Sequence, residues 1–179
     1  MSDNADAWAA EQRADAAIAG RSRSRWLARQ AAEEATFAGV LVDLAERGEE
    51  VVVRTRAGRS HRGRLALVTE ALVVIETATA RVAVPFDRMG AVRREGSSTE
   101  GPIGDRRPIG GPALGTWLAG LVGDRPTVAL SLDGDSEPMR GELLAVGVDV
   151  VTLRLGARAT TVHVRLQSVS EVLLPATSG

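Results

Sequence analysis

A mainly β protein with N-terminal helices, built as two tandem small bent five-stranded barrels each preceded by an amphipathic helix, is the fold class this sequence predicts. Three observations predict it. The chain carries an internal duplication: Arg62-Gly63-Arg64-Leu65 matches Arg140-Gly141-Glu142-Leu143, and Val82-Ala83-Val84-Pro85-Phe86 matches Val162-His163-Val164-Arg165-Leu166. The spacing is 78 positions at the first match and 80 at the second, which places one short insertion in the Gly156-Ala157-Arg158 turn, where loops tolerate length changes that strand faces do not. In each copy the apolar period changes from helical to alternating, and a glycine sits inside the second strand, a mark of sharp bending or close backbone approach.

The elements follow in order. Residues 1–34 read as an N-terminal helical arm rich in Ala, Glu and Arg, broken near Gly20-Arg21-Ser22. Phe37, Val40, Leu41 and Leu44 then form a helical stripe that stops at Arg47-Gly48, a basic last turn followed by a glycine. Strands are expected over Val51–Arg56, Arg62–Val68, Leu72–Thr77, Arg81–Phe86 and Gly90–Arg93, with Gly63, Leu65 and Leu67 inward and Arg62, Arg64 and Ala66 outward. Copy two repeats the plan: a short helix on Leu114, Trp117, Leu118 and Leu121, then strands over Val128–Leu132, Met139–Val146, Val150–Leu155, Thr160–Leu166 and Ser170–Leu174. The organisation is therefore an arm over 1–34, a first barrel with its helix over 35–94, a flexible Gly/Pro linker over 95–112, a second barrel over 113–175 and a tail over 176–179.

The leading helix over Ala35–Arg47, the hairpin whose second strand carries Arg62-Gly63-Arg64-Leu65, and the short closing strand after Val84-Pro85-Phe86-Asp87-Arg88-Met89 resemble the Sm-like family of small barrels, an SH3-like architecture. The resemblance covers about two thirds of the chain, and it implies the fold. It does not bring the family's RNA pocket. That pocket needs an Asp and an Asn near the third strand and an Arg-Gly or Lys-Gly near the fifth. Here the third-strand regions read Thr69-Glu70-Ala71-Leu72 and Gly147-Val148-Asp149-Val150, and the fifth-strand regions Asp87-Arg88-Met89-Gly90 and Gln167-Ser168-Val169-Ser170.

Charge is the feature that points at a partner. Between Val51 and Thr69 stand Arg54, Arg56, Arg59, Arg62 and Arg64 with no acid, a formal +5. Alternation puts Arg54 with Arg56, and Arg62 with Arg64, on the outward faces of adjacent strands. Three readings of that surface stand open: a solvated barrel exterior, a protein-binding face, or a phosphate-binding face for nucleic acid. Over Val128–Gly147 the sign inverts: Asp133, Asp135, Glu137 and Glu142 against Arg140 give −3. Opposite charge at equivalent positions predicts contact between copy one and copy two, in the same chain or in another, forming a pseudo-symmetric dimer or ring; independent drift of two solvated faces is the alternative. A second basic run, Arg21, Arg23, Arg25 and Arg29 around Trp26, reads either as a nucleic-acid arm or as a solvated helix start paired with Glu33 and Glu34.

Composition narrows the remaining classes. There is no cysteine, so disulfides and thiolate chemistry are out, and all 22 basic residues are arginine. Five aromatic residues, Trp8, Trp26, Phe37, Phe86 and Trp117, lower the expectation of a single-strand reader that stacks bases. No secretory signal opens the chain and no apolar run approaches ~18 residues, so a cytoplasmic protein with no membrane contact is expected. Catalytic residues, metal ligands and cofactors are expected to be none: His61 and His163 stand alone, no phosphate loop is present, and Asp133-Gly134-Asp135-Ser136-Glu137 lacks the rest of a calcium loop. The function expected is a non-enzymatic binding or scaffold protein that self-associates as a homo-oligomer or takes a protein partner. The alternatives are a nucleic-acid-binding regulator using the basic hairpin and an enzyme with a pocket between the barrels.

Overall fold

The computed structural model describes residues 20, 22–23, 26–96, 104–156 and 160–176. A helix over 26–34 (α1) is exposed along its length except at half-buried Ala31. It stops at Ala35, and Thr36 then caps helix α2 (Phe37–Glu46), its hydroxyl accepting from the Gly39 N–H at 3.0 Å. Helix α2 closes at Arg47, and Gly48 takes a left-handed φ of 62°.

Five strands follow: β1 (Glu50–Thr55), β2 (Ser60–Val68), β3 (Leu72–Glu76), β4 (Ala80–Pro85) and, after a 3-10 turn at Phe86–Arg88, β5 (Met89–Arg94). Copy two has helix α3 (Leu114–Ala119), then β6 (Thr127–Leu132), β7 (Met139–Val146), β8 (Val150–Leu155), β9 (Thr160–Arg165), a 3-10 turn at Leu166–Ser168 and β10 (Val169–Pro175). The duplication extends to irregularities. The second and third strands of each copy slip register between Leu65 and Leu67 and between Leu143 and Ala145. The slip explains why Val68 is buried while Leu67 is only half-buried: an extra residue moves the inward face by one position.

The strands of the two copies join edge to edge. They make one open, antiparallel ten-stranded sheet ordered β5-β1-β2-β3-β4-β10-β6-β7-β8-β9. Within each copy the fifth strand pairs with the first. The fourth strand of copy one does not turn back to its own fifth strand; it takes β10, the fifth strand of copy two, with Val172 opposite Ala83 and Leu173 opposite Val82. Periodicity specifies which face of a strand is buried and leaves its edge partner open, so the alternation in β4 did not reveal its pairing with β10.

The core follows the sheet across the joint. Leu41 and Leu44 of α2 close over Val51, Val53, Leu65, Ile75 and Val84. A second cluster gathers Leu118, Leu130, Leu143 and Leu153 of copy two together with Leu72, Val74 and Ala83 of copy one.

The Gly/Pro segment expected to be a flexible linker is bonded over its described second half. Gly104 donates to the buried Asp43 carboxylate at 2.7 Å, and its carbonyl accepts from the Thr36 N–H at 2.9 Å. Arg106 adds ion pairs to Asp43 and Glu46 at 3.5 and 2.6 Å, Ile109 bridges to Thr69, and the Thr69 hydroxyl donates to the Pro112 carbonyl. This strap fits because Gly39 has no side chain: a Cβ there would stand 2.0 Å from the Gly104 oxygen. Gly39→Ala is expected to lift the strap and leave the sheet folded, read as faster tryptic cleavage at Arg106 and Arg107 with an unchanged circular dichroism spectrum. Unchanged cleavage would show that the strap is held elsewhere.

Candidate functional site: the joint between the copies

Beside the β4–β10 joint lies a buried polar cluster. Glu171, third residue of β10, is 1% exposed, an expensive position for a carboxylate. Three groups surround it. The Ser131 hydroxyl of β6 donates to Oε1 at 3.1 Å, His61 Nε2 of β2 lies 2.7 Å from Oε2, and the Arg59 guanidinium stands 3.5 Å from Oε1. An ionised Glu171 only accepts, so Nε2 carries the proton in that contact. Ser170 donates to the Ser131 carbonyl at 3.0 Å. Two donors come from copy one and the acceptor from copy two, so the cluster ties the copies side chain to side chain.

This cluster gives His61 a partner 110 positions away that sequence reasoning missed. The available signal was a lone glutamate directly before the apolar run Val172–Leu174, in a segment that reads as a strand. The order of groups does not match nucleophile activation, in which a histidine stands between hydroxyl and carboxylate. Here the carboxylate is in the middle, and Ser131 is wholly buried.

Around the cluster the basic and acidic hairpins meet within one chain. Arg59 also donates to the Ser136 carbonyl at 3.3 Å, and Arg88 pairs with Asp133 at 2.8 Å while donating to the Gln167 carbonyl at 2.7 Å. Asp135 and Glu137 are exposed and hold no ion pair among the described residues. Glu142 pairs with Arg154 on the neighbouring strand.

The remaining arginines of the first hairpin are spread over the outer face of the sheet. Arg62 pairs with Glu50 at 3.2 Å and with Glu95 at 4.0 Å; the Glu50 hydrogen bond and then the charges of Glu50 and Glu95 hold its guanidinium above the ordinary range. Arg64 stands in register between Glu50 and Glu76, and Glu76 faces Arg81, so signs alternate across four strands. Arg56 donates to the Asp87 carbonyl. Arg54 is exposed. Arg23 is exposed on the N-terminal helix, whereas Arg21 and Arg25 lie outside the described residues.

Beside the joint an open groove of ≈ 870 Å³ runs between the copies, lined by Pro85 and Arg88 from one and Leu114, Thr116, Val148 and Leu166 from the other. Its guanidinium is already held by Asp133 and Gln167. No cluster of metal-ligating side chains occurs among the described residues, and none of their helices is long and apolar enough to cross a membrane. No protein-family model matches the chain, and no curated protein matches it in sequence.

Proposed function

We propose that the chain is a non-enzymatic binding or scaffold protein made of two tandem Sm-like, SH3-like barrels, and that it self-associates through two sheet edges. The β4–β10 joint is the observation that supports this reading. In it a fourth strand of this repeat takes a fifth strand, and among the described residues each chain retains one unpaired edge of each kind: β9, equivalent to β4, and β5, equivalent to β10. Such a head-to-tail contact uses two different surfaces, and unpaired strand edges are ready templates for it. The outer edges are more polar than the inner joint. Arg93 and Arg94 of β5 stand where β10 has Leu173 and Leu174, so association is expected to depend on concentration. Light scattering over a dilution series is expected to show growth beyond a monomer as concentration rises; a strict monomer throughout overturns the reading.

A second reading, nucleic-acid binding, draws on Arg54, Arg56 and Arg64, which are exposed and form no ion pair among the described residues. Under it, log affinity falls against log salt, and each phosphate-contacting arginine removed reduces the slope by ~1. Failure to bind RNA or duplex DNA at ~50 mM salt, where phosphate contacts are strongest, excludes it.

A further inference from the structure

We infer that the contact between chains is selected by an ion pair whose polarity is reversed from the one inside the chain: Glu137 of one copy against Arg54 of the next. The inference rests on the edge-to-edge reading above and adds what chooses the partner.

The repeat supplies the geometry. Inside the chain, the joint carries Arg59 of the copy-one hairpin to Glu171 of β10, which lies opposite Ser131 in the β10–β6 register. Arg59 stands four residues before the strand glycine Gly63, and Glu137 four residues before its equivalent, Gly141. Glu171 is the third residue of β10, and its equivalent in β5 is Ala91. The strand neighbour of Ala91 is Arg54, as Ser131 is that of Glu171. Repeating the joint between β9 of one chain and β5 of the next therefore carries Glu137 to Ala91 and Arg54.

A base meeting an acid inside becomes an acid meeting a base outside. Both outer residues are exposed, and neither holds an ion pair among the described residues. Asp135 on the acidic turn and Arg56 beside Arg54 extend the complementarity. The same scheme disfavours wrong pairings. A copy-two hairpin on another chain's β10 sets Glu137 against Glu171, and a copy-one hairpin on another chain's β5 sets Arg59 against Arg54. Like charges at a contact exclude a partner more effectively than the matched pair strengthens the right one.

The test uses the full chain at low salt with Glu137→Arg, Arg54→Glu and an equimolar mixture of the two, followed by sedimentation velocity. Each variant alone sets like charges at the contact, and its self-association is expected to weaken roughly tenfold. In the mixture both alternating contacts regain opposite charges, so association is expected to return to the wild-type level. If the wild type associates and the single variants associate equally well, the charge selection is wrong and the edge contact stands. Single variants that lose association without recovery in the mixture also overturn it. A wild type that stays monomeric at every concentration overturns both readings.

Discussion

Glu171→Leu is expected to lower the free energy of unfolding by about 3–5 kcal/mol, the cost of removing one partner from a buried ionic cluster. The size follows from what remains. Leucine fills most of the volume, but the Ser131 hydroxyl, His61 Nε2 and the Arg59 guanidinium all lose their acceptor, and Ser131 has no route to water. Glu171→Gln keeps an oxygen for Ser131 and is expected to cost less. Replacing the cluster with apolar groups together, Glu171→Leu with His61→Phe and Ser131→Ala, is expected to recover part of the loss, because desolvation of the charge disappears with it. Urea denaturation of the three variants checks this. A Glu171→Leu midpoint unchanged from wild type would show that the cluster contributes nothing.

The second large effect is at Gly63. A Cβ there would lie 2.1 Å from the Glu76 carbonyl oxygen and 2.8 Å from its carbon, so the obstacle is backbone and cannot rotate aside. Gly63→Ala is expected to cost about 3 kcal/mol, the upper part of the usual range for overpacking, by forcing apart β2 and β3 where Arg64 lies opposite Glu76 in register. At the equivalent Gly141 the nearest atom is Leu155 Cδ2 at 2.7 Å, with the Arg154 oxygen at 2.8 Å. A side-chain methyl yields more easily than a carbonyl, so Gly141→Ala is expected to be milder. Thermal unfolding of the pair measures the difference; equal losses would show that the backbone contact at Gly63 relaxes as readily as the methyl does.

Most of the elements were legible in the sequence because they follow from local rules. Alternation located ten strands to within about two residues, the paired glycines marked the close approaches, and Arg47-Gly48 marked the end of α2. Three things were not legible. The joint joins residues that no local pattern relates: β4 presents the same alternation whether it meets β5 or β10. The polar cluster joins His61 to Glu171 across most of the chain, and each residue alone looks unremarkable. The strap over Gly104–Pro112 reads as loose by composition, yet a glycine on each side, Gly39 and Gly104, allows the backbones to approach. The opposite hairpin charges were legible; Arg59 of the basic hairpin reaches the acidic turn at Ser136, and Arg88, from the 3-10 turn after β4, pairs with Asp133 there.

Because Leu72, Val74 and Ala83 of copy one complete the core of copy two, the chain has no plane along which it separates cleanly. Cut between residues 95 and 112, either half would expose a bare strand edge beside an unfinished apolar surface. Truncations that spare one whole repeat are therefore expected to give insoluble fragments, and co-expression of the two halves is expected to restore solubility.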